Sequence, residues 1–311
     1  MKKLSIIICC LLATISAFGQ KKYQVTNYNI IFSPDLSNRL NSKLYPRAIS
    51  DPDIVSGVLK RIDPDILRLG RLTQQLDHYS VDFINKGLVG IYKVNTDLLH
   101  LDFERFTHHQ DARIKYVKGT QYHNLNADIR KFMSEYTNFN NKASISNNGA
   151  DIWTYFNSGI DDRIVKRPIV KGNTTNNFRN ILVMMTDGYI EAGIYNKGYD
   201  LNMSKVNNFR NAFLKSKGTD LALFLVKNPH FKINSVKNPY LSNLEVIVLE
   251  MYDRSLSKAG AATKHPTDME IMKVIWKDWL KSSGVKRFEL KPTANNQEEA
   301  VKYVMDFISK K

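Results

Sequence analysis

Cysteine is almost missing from this 311-residue chain: it has two, Cys9 and Cys10, both within the first ten residues. The remainder is therefore closed to thiol catalysis, to disulfide stapling and to cysteine-based zinc or iron–sulfur sites. Long apolar runs are missing too, since no segment after the first twenty residues could span a bilayer. Glycine does not cluster. There is no Gly-x-x-x-x-Gly-Lys loop for nucleotide phosphates, no glycine group after the first strand for a dinucleotide, and no Gly-x-Ser-x-Gly elbow. Blocks of basic residues are absent as well, although Lys and Arg outnumber Asp and Glu by 45 to 30. The lysines are scattered among asparagines, so the net charge of +15 reads as a basic, solubilising surface. Nucleic acid is set aside as a partner, while an anionic glycan or a membrane surface stays open.

The opening, MKKLSIIICCLLATISAFGQ, has two lysines, a short apolar core and small residues at Ala17 and Gly19. That is the pattern of a cleaved export signal over residues 1–20. It predicts a periplasmic or extracellular protein whose residues 21–311 form one domain with loop insertions. A lipid anchor on the cysteines is disfavoured, because Ile6 and Ile8 are not the small residues expected before a lipidated cysteine. An exported domain without disulfides must be held by its own core, and this length can supply one.

Apolar runs of two kinds follow one another. YNIIF (28–32) and RNILVMM (179–185) are short, apolar and without alternation, as strands covered on both faces are. LEVIVLEMY (244–252) reads the same way. Strands are also expected at LVGIYKV (88–94), LLHLDFERF (98–106) and DLALFLVKN (220–228), with KRFEL (286–290) as a short strand. DARIKYVKG (111–119) reads as a strand or an irregular arm. Helical spacing marks IVSGVLKRI (54–62), LNADIRKFMSEY (125–136), SKVNNFRNAFLKSKG (204–218) and residues 298–308. Asp63-Pro64 looks like the start of a further helix reaching Leu76, and Thr267 with Glu270 forms a capping box for EIMKVIWKDWLKSSG. Covered strands alternating with amphipathic helices describe an α/β helix–sheet–helix sandwich with a mostly parallel central sheet. Ligands of such sheets sit beyond the carboxyl ends of the strands. That rule singles out Asp35, Asp187 and Asp253, each just after a predicted strand.

Two of these strand ends carry a motif. Asp35-Leu36-Ser37-Asn38-Arg39 follows the first strand, and Thr186-Asp187-Gly188 follows the central one. With the order of elements, they resemble the von Willebrand factor type A domain. In that family Asp-x-Ser-x-Ser, a threonine loop and a Thr-Asp-Gly strand end hold a divalent cation, completed by an acidic group of a protein partner. The resemblance covers most of the chain after residue 20 in element order, but only these short stretches in motif. It implies Asp35, Ser37 and Asp187 as ligands of Mg2+, or of Ca2+ or Mn2+. Asp151, in Asn147-Asn148-Gly149-Ala150-Asp151, stands beside the alanine that takes the threonine position and is the fourth candidate ligand, with a carboxylate oxygen of its own. Arg39 stands where the second serine would be. Magnesium needs hard oxygen ligands in octahedral geometry, and an inward guanidinium would repel it. At an effective dielectric near 20, unit charges about 4 Å apart interact by roughly 4 kcal/mol, enough to turn a weak metal site into a salt bridge. Arg39 thus replaces the metal if it points inward and meets an acidic partner if it points outward.

Thr186, Tyr189 and Glu191 complete the candidate rim, as partner-binding or metal-substituting residues. Tyr45, Tyr195 and Tyr199 sit in polar loops, where tyrosine favours recognition. The expectation is an exported, non-enzymatic protein-binding or adhesion-type domain with a degenerate cation site, its partner another envelope or extracellular protein. A metal-free structural part of an envelope assembly is the alternative. A hydrolase or phosphoryl-transfer enzyme ranks below both, for Asp35-Leu36-Ser37 lacks a second aspartate two residues on. The histidines are expected to be structural or surface residues. His108 and His109 diverge on any regular backbone, and His78, His100, His123, His230 and His265 stand singly.

Overall fold

The computed structural model describes residues 22–310, except 42–44, 70–74, 108, 146–148, 192–197 and 258. The segment expected to be an export signal, Asn147, Asn148, Tyr195 and His108 lie outside the described residues. The described residues form a mixed seven-stranded sheet: β1 (Tyr23–Pro34), β2 (His78–Val81), β3 (His100–Asp102), β4 (Ile169–Lys171), β5 (Thr174–Met185), β6 (Leu244–Met251) and β7 (Arg287–Pro292). The order is β3-β2-β1-β5-β6-β7, with β4 paired antiparallel to the start of β5. The β2–β1, β1–β5, β5–β6 and β6–β7 pairs are parallel, and β3 closes one edge antiparallel to β2.

Both faces of the central strands are covered, which explains their unbroken apolar runs. Ile30 and Phe32 of β1, Ile181 and Val183 of β5, and Ile247 of β6 face one core, filled by α1 (Asp51–Leu59), α4 (Leu125–Ser144) and α8 (Gln297–Ser309). The residues between them, Ile31, Leu182, Met184, Val246 and Val248, face the other core. There α5 (Met203–Lys215), α6 (Leu221–Lys227) and α7 (Asp268–Ser282) contribute Phe209, Phe224 and Trp276. Thus the protein is an α/β sandwich with helices flanking a mostly parallel sheet. Among the described residues no helix is long and apolar enough to cross a membrane.

Several elements differ from the sequence expectation. LVGIYKV holds a helix, α2 (Lys86–Ile91), and DARIKYVKG a helix, α3 (Gln110–Lys118), ended by Gly119 in the left-handed region at φ 73°. DLALFLVKN is α6, because Asp220 caps it by accepting from the Ala222 and Leu223 N–H groups. The helix expected from Asp63 to Leu76 is reduced to one 3₁₀ turn, Ile66–Arg68, among its described residues. His78–Val81 was not expected as a strand. The capping box of Thr267 and Glu270 is present.

Strand order reverses between β1 and β5: the chain leaves β1 towards β2 and β3, but leaves β5 towards β6 and β7. A doubly wound sheet opens a crevice at this point, beyond the carboxyl ends of the two strands. β1 and β5 run in register to Pro34 opposite Met185, so Asp35 and Thr186-Asp187 emerge side by side.

Candidate functional site

Asp35 and Asp187 converge in this crevice. The Asp35 N–H donates to the Met185 carbonyl at 2.9 Å, and Thr186 N–H donates to Leu249 at 3.1 Å, extending the ladder past the last strand residues. Both carboxylates are buried. Asp35 Oδ2 accepts from the Thr186 hydroxyl at 2.8 Å, while its Oδ1 accepts from Ser37 N–H at 2.9 Å. Burial, reinforced by the Asp35 charge and opposed by Arg254, pushes the Asp187 carboxyl up to about 6.

Arginine supplies the positive charge. Arg39 turns inward and is 2% exposed, its Nε donating to the Asp35 carbonyl at 2.7 Å and lying 3.8 Å from Asp35 Oδ2. Its guanidinium forms a bidentate pair with Asp51 at the start of α1, which Arg47 joins at 2.7 Å. Burial acts against the charged form of Arg39, but Asp51 and Asp35 outweigh it and raise the pKa above the ordinary arginine value. A second arginine, Arg254, donates from Nη2 to Asp187 Oδ2 at 2.7 Å and from Nη1 to Glu191 at 2.9 Å. The rings of Tyr189 and Tyr45 lie 4.0 and 4.6 Å from that guanidinium, a cation–π clamp.

These residues do not fit a divalent cation. One oxygen of Asp35 accepts from Thr186, one oxygen of Asp187 accepts from Arg254, and two guanidinium charges stand where the ion would carry its own. Asp151 is engaged locally as well. Its oxygens cap a short helical turn, accepting from the N–H and hydroxyl of Thr154 at 2.9 and 2.8 Å. Tyr189 is buried beneath the rim, its hydroxyl donating to Asp268 at 2.5 Å, so it supports Arg254 and presents no ring to a partner. Glu191 is the open member of the group, with half its side chain exposed. Asp253 is used internally, accepting from Ser255 and, at 3.2 Å, from the N–H of Met269 in the first turn of α7. Arg254 could have been noticed, since it follows Asp253 just past a predicted strand. Asp51 carried no signal beyond that of a helix start.

Beneath the crevice a further carboxylate, Glu250, is held without a cation. It sits near the bulge of β6 against β7 with φ 66°, a left-handed conformation uncommon for glutamate. Oε1 accepts from Ala294 N–H at 3.2 Å, whereas Oε2 is buried with no hydrogen-bond partner. Burial pushes its carboxyl up from 4.5 to about 7. A raised carboxyl pKa means that the folded state holds the proton more tightly, so stability falls as pH rises through that interval. Glu250→Gln is expected to stabilise the protein by about 3 kcal/mol at pH 8 and to be nearly neutral at pH 4. Denaturant midpoints at the two pH values check this, and an equal effect at both would discard it.

A divalent cation finds its donors elsewhere, at the β2–β3 edge of the sheet. His78, Asp102 and Glu104 each offer a ligand atom, all within 4.8 Å of one another, positioned to coordinate a divalent cation. His78 is no isolated structural residue: its ring stacks on His100 with centroids 5.6 Å apart, and its Nδ1 lies 3.2 Å from Asp102 and 3.4 Å from His100 Nε2. Burial, with the charges of Lys166 and His100 adding to it, lowers His78 to about 3. The ring is therefore neutral at pH 7, and its contacts with Asp102 and Glu104 are not ion pairs. His78 and Asp102 are far apart in sequence and meet only because antiparallel pairing sets them opposite each other. Asp102-x-Glu104 was the one local signal.

No protein-family model matches the chain, and no curated protein sequence matches it.

Proposed function

We propose that this protein is a non-enzymatic protein-binding domain of von Willebrand factor A-like organisation, exported to the cell envelope, in which arginine has replaced the cation. The reading rests above all on the Arg254 guanidinium set on Asp187 at 2.7 Å between Tyr45 and Tyr189. Where a metal would be acquired from solution, Arg254 is a permanent positive charge, paired with the half-exposed Glu191 at the rim. A partner's acidic group would compete with Glu191 for it. Tyr45 on one side and Tyr189 with Glu191 on the other flank that point and would frame the contact.

Two measurements test this. Titration calorimetry with Mg2+, Mn2+ and Ca2+ on the wild type and on Asp187→Ala is expected to give no heat assignable to the crevice. Partner capture from envelope extract is expected to survive chelator and to fall at least 10-fold in Arg254→Gln, the loss usual for a buried charged contact. Capture that chelator abolishes in the wild type and in Glu104→Gln alike would return the cation to the crevice. Capture that ignores both chelator and Arg254→Gln would favour the second reading, a structural part of an envelope assembly; the internal pairing of Arg39 with Asp51 supports that reading in its own right.

A further inference from the structure

We propose that His78, Asp102 and Glu104 bind a divalent transition-metal ion of the zinc type, which pins β2, β3 and the turn after β3 together. The site is independent of the crevice. His78 pairs with Asn29, five residues before the end of β1, and so lies about 16 Å from that end along the sheet.

His78 carries the choice of ion. It is 2% exposed, and its Nε2 is buried without a hydrogen-bond partner, facing Glu104 Oε2 at 3.5 Å. A buried ring nitrogen without a partner is unfavourable unless something else satisfies it. The distance to the Glu104 oxygen exceeds a hydrogen bond, yet it is close to the separation of two ligands on one ion, each about 2 Å from the metal. Imidazole selects zinc, copper, nickel or iron over magnesium and calcium, which prefer all-oxygen shells. Two carboxylates bring two negative charges to neutralise the ion, and each is about one-third exposed, which leaves one side of the site open.

The neighbouring lysine leaves that oxygen free. Lys171 Nζ lies 3.4 Å from Glu104 Oε1, whereas His78 Nε2 faces the other oxygen, Oε2. The backbone presets the rest: the Glu104 N–H donates to Asp102 Oδ1 at 2.6 Å, holding the two carboxylates in one turn. The donors thus come from a strand, its antiparallel neighbour and the turn after it, so one ion would close the edge of the sheet.

The test uses the full chain freed of metal and titrated with ZnCl2, and separately with MgCl2, by calorimetry and thermal unfolding. One equivalent of Zn2+ is expected to bind and to raise Tm, while millimolar Mg2+ does neither. Glu104→Gln and Asp102→Asn should each weaken zinc binding at least 10-fold and remove the rise in Tm. These are the partly exposed ligands, so the test stands even if His78→Gln does not fold. Co2+ in place of zinc should show visible absorption bands that the same variants abolish. No zinc binding by the wild type would overturn the proposal, as would zinc binding that both variants retain. Loss of binding in Asp187→Asn but not in Glu104→Gln would put the ion in the crevice and overturn it too.

Discussion

Replacing Arg39 with methionine is expected to destabilise the protein by about 3–5 kcal/mol at pH 7, the range for removing one member of a buried ion pair. Methionine keeps the length and apolar stem of the side chain, so the loss reports the charge and its hydrogen bonds. Asp51, fully buried at the start of α1, would keep Arg47 alone, and Asp35 would lose its nearest cation. In the wild type, burial pushes the Asp51 carboxyl up, but Arg39 and Arg47 more than reverse this and hold it below the ordinary value. A depressed carboxyl pKa contributes stability above the unfolded-state value of 3.8, which is lost as pH falls through the folded-state value. The penalty of Arg39→Met should therefore be largest at neutral pH and shrink below about pH 4, where Asp51 can protonate. Denaturant midpoints at pH 7 and at about pH 3 read this directly. Arg39→Met combined with Asp51→Asn should recover most of the loss, because no uncompensated charge is then left buried. A single variant within 1 kcal/mol of wild type at pH 7 would mean that the pair is not desolvated.

Trp276→Ala should have an effect of similar size, about 4 kcal/mol. Trp276 is fully buried on α7, packed edge-on to Trp279 with ring centroids 5.2 Å apart. Its Nε1–H donates to the Gly188 carbonyl at 2.8 Å, tying the second core to the turn that carries Asp187. Gly188 takes φ 89°, a conformation that side chains rarely adopt, and an added Cβ there would lie 3.0 Å from Met251. The turn is thus held by the helix beneath it. Trp276→Phe keeps most of the packing and loses the hydrogen bond, so about 1–3 kcal/mol is expected from the carbonyl left unpaired. Denaturant midpoints of the two variants separate packing from hydrogen bonding. Equal losses would assign the whole effect to the Gly188 bond.

The strands that could be read from the sequence are those buried on both faces. YNIIF, RNILVMM and LEVIVLEMY are covered on both faces, and each lies in a strand of the mostly parallel sheet. The misread segments are short apolar runs, where length and composition do not separate strand from helix. DLALFLVKN reads as a strand by composition, and the cap that Asp220 supplies makes it a helix. In α3 the helical spacing is weak because Ile114 stays about half exposed, yet Gly119 at its end was a usable stop signal. His78–Val81 has only four residues, and pairing with β1 on one side and β3 on the other makes it a strand.

The candidate site divides along the same line. By itself the sequence determined that Asp35 and Asp187 each follow a strand and that an arginine, Arg39, stands four residues past Asp35, because local pattern decides strand ends. Only the tertiary structure decided which cation neutralises them, and that a histidine and two acids gather at the far edge. Electrostatic partners are chosen by distance in space. Arg254 reaches Asp187 from the end of a neighbouring strand, and His78 meets Asp102 through an antiparallel register that no run of residues records.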